Sequence, residues 1–250
     1  MDKEFISEVK KKREFSKLPD SIVVRVANKT ESVKEARALL RKYFGVFLTN
    51  KVRKGKGTAD EILQAHISSK KRDYSKFYER LSESVGNEFN FILDFGAGVN
   101  GYSYNYFKKI FGNITYFAIE ASGQLVENMN SFFDKNNFNG NAICADLMEL
   151  EVIKKTFDKV KSGKKLIFLF QVIDALESLD RNFSKIFLMN LREFLTEEDR
   201  ILISLPVESL SGRKNFAVRR KWFVDFLEEE FIITDDFLMD GERFFCIRKN

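Results

Sequence analysis

The 250-residue chain has few of the residues that staple or interrupt structure: two cysteines, two prolines and one histidine. Cys144 and Cys246 stand far apart, which excludes a disulfide framework. With a single histidine, a zinc cluster is excluded as well, and no metal is expected. No Ser/Gly/Pro-rich stretch separates one part of the chain from another, and no internal repeat occurs. No apolar run approaches the roughly 20 residues that span a bilayer. The opening "MDKEFISEVKKKREF" is too charged for a secretory signal. These absences lead to the expectation of a soluble, cytoplasmic protein without a membrane partner. What the chain has in quantity is core material: 44% hydrophobic residues, 27 of them phenylalanine.

Charge is segregated. Residues 1–85 hold 21 Lys/Arg against 12 Asp/Glu, a net of +9, whereas residues 86–250 hold 21 against 25, a net of −4. A basic region of that size suits a polyanion, and the bland alternative is a set of solvated helix faces. The basic region reads as helical. "ESVKEARALLRKYFGVFL" and "TADEILQAHISSKKRDYSKFYERLSES" both carry apolar residues at helical spacing, and Ser32 with Glu35 suggests a capping box. Between them, "NKVRKGKGT" reads as a glycine-broken basic loop, and "SIVVRV" is the one possible strand.

From residue 89 the pattern alternates. "NFILDF", "ITYFAIE", "NAICA", "KLIFLFQ" and "RILISLP" are short apolar runs of the kind buried in a parallel sheet. Helical patterns over 102–111, 123–135, 149–161, 181–196 and 214–229 follow or separate them. "FIITDDFLM" and "RFFCIRK" flank Asp-Gly, a hairpin signal. The expected fold is α/β: a seven-stranded Rossmann-like sheet of the class I methyltransferase type over 86–250, with a basic helical accessory domain over 1–85.

"LDFGAGVNGYS" places Gly96, Gly98 and Gly101 in a G-x-G-x-x-G turn after the first strand. Such a turn brings backbone and a helix N-terminus against a ligand, and it serves nicotinamide dinucleotides and S-adenosylmethionine alike. Glu120, ending the second strand, suits ribose hydroxyls in either case. Asp94 within the first strand, Asp146 after the third and the terminal hairpin favour S-adenosylmethionine. Asp94 as a turn cap and Asp146 as a helix cap are the bland readings of the two acids.

At these stations the chain resembles the small-subunit ribosomal RNA guanine-N7 methyltransferases, a family that includes aminoglycoside-resistance enzymes. The resemblance runs from about residue 60 to 249. It is carried by "HISSKKR", "LDFGAGVN", "YFAIE", "CADL", "FLFQVIDALE", "LPVESLSGR" and "GERFFCIRK". It implies that Arg72 holds the methionine carboxylate and that His66 fixes the same motif. It implies further that Gly96, Ala97 and Gly98 pass beneath the methionine portion. Glu120 and Ala121 would face the ribose, and Asp146 and Leu147 the adenine. Gln171, Ser209 and Arg213 are the expected catalytic residues, Ser209 and Arg213 on the loop that faces the target nucleotide and Gln171 also at the cofactor. Phosphate contacts are expected from Lys51, Arg53, Lys54 and Lys56, and from Arg213, Lys214, Arg219, Arg220 and Lys221. Each has a solvated surface charge as its bland alternative.

The chain departs from the family pattern on the target side. Gln171 replaces an expected lysine, Asp174 a proline and Glu208 a basic residue, and "KNFAVRRKW" lacks an expected Gly-Met pair. The reading is an S-adenosylmethionine-dependent methyltransferase acting, as a monomer, on guanine N7 of ribosomal RNA or the small subunit. The alternatives are transfer RNA or a small molecule as target, or a catalytically silent RNA-binding protein.

Overall fold

The five apolar runs form parallel strands: β1 Phe91–Phe95, β2 Thr115–Glu120, β3 Gly140–Cys144, β4 Lys165–Phe170 and β5 Arg200–Pro206. The structure, a computed structural model, describes residues 3–45, 49–68, 70–160, 162–207 and 220–250. β6 Phe231–Met239 and β7 Glu242–Lys249 extend the sheet to seven strands in the order β3-β2-β1-β4-β5-β7-β6. β7 runs antiparallel to both of its neighbours. The Asp-Gly turn between β6 and β7 has Asp240 at φ 52° and Gly241 at φ 83°, the doubly left-handed geometry that suits a twisted hairpin.

The N-terminal helices are α1 Lys3–Lys10, α2 Asp20–Ala27, α3 Val33–Leu40, α4 Asn50–Lys54, α5 Ala59–Ala65 and α6 Tyr74–Val85. In three places they differ from the sequence reading. "SIVVRV" is part of α2, not a strand, because Ile22, Val23, Val26 and Ala27 bury together at helical spacing. The basic loop holds a short helix, α4, started by Thr49 and stopped by Gly55 in the left-handed region at φ 56°. The helical pattern over 58–84 is broken in two. Thr58 and Glu61 form a capping box on α5, His66 leaves it in extended conformation, and Asp73 caps α6. The break delivers the described residues of the segment 66–72 as a loop rather than a helix face.

The remaining helices are α7 Tyr104–Phe111, α8 Gly123–Asn136, α9 Glu151–Asp158, α10 Ile173–Leu179, α11 Phe183–Glu193 and α12 Lys221–Glu230. Both faces of the sheet are covered, as a buried parallel sheet requires. On one face Leu93, Phe95, Ile167 and Ile203 pack with α10 and α11, and with Val9, Ile22, Val23, Val26, Ala36 and Leu40 of α1–α3. On the other, Ile92, Phe168, Leu202 and Phe244 pack with α7 and α8, and with Ile62, Leu63, Phe77, Tyr78 and Leu81 of α5 and α6. The N-terminal helices thus share their two apolar clusters with the sheet. Among the described residues, no helix is long and apolar enough to cross a membrane.

Candidate active site

A cleft enclosing about 1050 Å³, part of it open to solvent, lies at the carboxyl ends of β1, β2 and β4. The chain order reverses between β1 and β4, and open α/β sheets bind ligands outside such a switch point. The lining includes His66, Arg72, Gly96, Ala97, Gly98, Glu120, Ala121, Asp146, Leu147 and Gln171. Of the residues expected at the cofactor, Asp94 alone is missing from the lining.

The glycines are there for room. A Cβ on Gly96 would stand 2.5 Å from Val172 Cγ2, and one on Gly101 would stand 2.6 Å from Met129 Sδ. Gly96 and Gly98 also adopt φ 78° and φ 55°, costly for a residue with a side chain. Glu120 braces the turn: its Oε2 accepts from Gly98 N–H at 2.9 Å and its Oε1 from Ser122 N–H at 2.8 Å. Each oxygen keeps a lone pair for a ligand hydroxyl. Burial pushes the Glu120 carboxyl above its ordinary range.

Asp94 sits fully buried, its Oδ2 accepting from Asn100 Nδ2 and Tyr116 OH, each at 2.7 Å. Its Oδ1 is buried without a partner, and burial lifts its pKa to about 6. Asp146 accepts from Met148 N–H at 2.9 Å, a local turn, and from Arg25 of α2 at 3.4 Å.

His66 lies against the turn, with its Cε1 3.3 Å from where a Gly98 Cβ would be. Its Nδ1 meets Ser68 Oγ at 3.0 Å. Burial, and then the charge of Arg72, push its pKa down to about 4, so the ring is neutral near pH 7. Arg72 is buried too. Its Nε and Nη2 both donate to Glu242 at the start of β7, a partner that no sequence motif indicates.

Gln171 leaves β4 in the left-handed region, φ 57°, rare for a residue with a side chain. Its Nε2 donates to Ser68 O at 2.8 Å, so the residue in the lysine's place ties β4 to the 66–72 loop.

One wall was not legible in the sequence. Ile22 of α2, with Tyr43 and Phe44 after α3, lines the cleft together with Leu147 and the helix α10. Tyr43 OH donates to Ser178 O at 3.0 Å, which fastens that wall across to α10. No motif marks these residues, because their apolar pattern serves the core equally well.

The expected RNA residues divide. Lys54 and Lys56 are exposed, and Lys221, also exposed, pairs with Asp225 at 2.8 Å. Lys51 reaches Glu61 at 3.3 Å, and Arg53 donates to Asn50 Oδ1 at 2.6 Å. Arg220 must be corrected: it is only 9% exposed and pairs with Asp174, the residue that replaces the expected proline. A buried, paired guanidinium is not a phosphate contact. Ser209, Arg213, Lys214 and Arg219 lie outside the described residues.

No protein-family model matches the sequence, and no curated protein matches it. Solved structures do. An rRNA methylase from Escherichia coli aligns over 99% of both chains at 18% identity with a TM-score of 0.76. The 16S rRNA methylase RmtB aligns over 99% of this chain and 98% of its own at 19% identity, TM-score 0.74. The 16S rRNA methyltransferase RmtF, solved in complex with S-adenosyl-L-homocysteine, aligns over the whole of both chains at 17% identity, TM-score 0.72. At such identity the likeness establishes architecture: the chain has the class I methyltransferase fold, helical N-terminal region included.

Proposed function

We propose that the protein is an S-adenosylmethionine-dependent methyltransferase acting on guanine N7 of small-subunit ribosomal RNA. One observation carries the reading. Residues from five separated segments, His66 and Arg72, Gly96 to Gly98, Glu120, Asp146 and Gln171, converge on one cleft at the switch point of the sheet. The likeness to three rRNA methylases, one solved with the demethylated cofactor, supports both cofactor and target class. The net charge of +9 over residues 1–85 supports a polyanionic target.

The residues present fit the cofactor. Gly96 and Gly98 line the cleft and would border the methionine portion, Glu120 has lone pairs for ribose hydroxyls, and Asp146 and Leu147 would border the adenine. When bound, S-adenosylmethionine supplies a methyl group on a sulfonium, already a good leaving group. Guanine N7 has an exposed lone pair, so no side chain need remove a proton. The protein's task is then mainly positioning. Gln171 would take part in that positioning: it lines the cleft, and its Nε2 is held by Ser68 O.

The test is methylation of purified small subunits with labelled cofactor, followed by nucleoside analysis. The expected product is 7-methylguanosine. Methyl transfer to an exocyclic amine, a ribose hydroxyl or a small molecule would overturn the target. Failure to bind the cofactor would overturn the class.

A further inference from the structure

Arg72 borders the cleft with a carboxylate already attached. Its Nε and Nη2 reach Glu242 at 2.7–3.2 Å, and the two side chains are 2% and 5% exposed. The rings of Phe77, Phe170 and Phe244 stand 4.6–5.7 Å from the guanidinium carbon and hold its plane. Glu242 is also the hub of a closed circuit. Its Oε2 accepts from Ser204 Oγ at 2.6 Å, Ser204 O and Oγ accept from Gln171 N–H, and Gln171 Nε2 donates to Ser68 O. Ser68 belongs to the same loop as Arg72.

A resident carboxylate could act on Arg72 in two opposite ways. It could compete with a ligand carboxylate for the guanidinium, or it could aim the guanidinium. The geometry decides. A guanidinium is a rigid planar fork with more than one donor edge. Glu242 takes the Nε–Nη2 edge, whereas Nη1 makes no hydrogen bond among the described residues. Glu242 and a ligand therefore need not contend for the same donor.

We propose that Glu242 is a positioning residue for the amino-acid end of the cofactor: it grips Arg72 by one edge so that Nη1 is presented to a ligand carboxylate, and through Ser204 it seats Gln171. This rests on reading the cleft as an S-adenosylmethionine site.

Two probes separate positioning from mere stability. S-adenosylhomocysteine has the amino-acid end, and 5′-methylthioadenosine is the same nucleoside thioether without it. In Glu242→Gln, calorimetry should show affinity for the first falling about tenfold, the worth of one well-aligned charge-assisted bond. Affinity for the second should change less than about twofold. Equal losses for both probes would reduce Glu242 to a structural role and overturn the proposal. Tighter binding of S-adenosylhomocysteine would show competition and overturn it as well. If Glu242→Gln gives no cooperative unfolding transition, Ser204→Ala replaces it. That variant keeps the ion pair but frees Glu242 from its anchor, and an unchanged ratio of the two affinities would refute the proposal. A wild-type protein that binds neither probe would instead defeat the reading of the cleft.

Discussion

His66 shows how one buried side chain can report on the whole cleft. Its pKa lies near 4, below the ordinary 6.5, because burial and Arg72 both disfavour the imidazolium. The unfolded chain therefore takes up the proton first as pH falls. The contribution of neutral His66 to stability is full above pH 6.5 and is lost as pH drops toward 4. In urea unfolding, wild type should lose about 3 kcal/mol relative to His66→Gln between those limits. Asp94 works in the opposite direction, its raised pKa making it stabilising below pH 4 and less so above pH 6, but it is common to both proteins. A difference that stays flat across the window would mean that His66 is not desolvated. Glu120 is the second residue to test. Glu120→Ala should weaken S-adenosylhomocysteine binding by roughly 1.5–3 kcal/mol in calorimetry. The same change frees the Gly98 and Ser122 N–H groups. Unchanged affinity would place the ribose elsewhere.

Among the elements, the loop 66–73 and the β6–β7 hairpin behave as one clasp. Arg72 pairs with Glu242, and Asp240 Oδ2 accepts from Asp73 N–H at 2.8 Å. Arg72→Ala should therefore destabilise the fold by about 3–5 kcal/mol, because it leaves Glu242 buried without its cation. Chemical denaturation would measure it; a loss under about 1 kcal/mol would mean that water readily replaces the guanidinium. This coupling was not legible in the sequence, since the partners are 170 positions apart. What was legible was local. The strands β1–β7 follow from their apolar runs, the hairpin from Asp-Gly, and the glycine turn from its spacing. What failed was also local, where one pattern allows two structures: the β-branched run of α2, and the long helical pattern that Asp73 cuts by capping α6. α4 belongs to the same group, and it carries Lys51, Arg53 and Lys54, with Lys56 just beyond. Removing these four charges should flatten the salt dependence of RNA binding. The log–log slope should fall by about 0.7–0.9 for each phosphate that the protein no longer neutralises. An unchanged slope would assign α4 to solvent.

At the scale of the whole molecule, the target sets the demand. If the substrate is a base held in a folded ribosomal site, assembled small subunits should be methylated far better than their naked RNA, because shape selects where sequence is not read. Comparable rates on both would point to recognition of a single-stranded segment. The Ile22, Tyr43 and Phe44 wall adds a constraint on how such a protein can vary. α2 and the residues after α3, which precede the basic α4 in the same N-terminal region, close one side of the cleft, and Arg25 of α2 reaches Asp146. A chain begun at residue 58 would open the cleft and bare the face of the sheet that α1–α3 cover, and on the proposed function it should lose RNA affinity as well. On the proposed function, exchanging this N-terminal region would change one wall of the cleft together with the basic residues of α4.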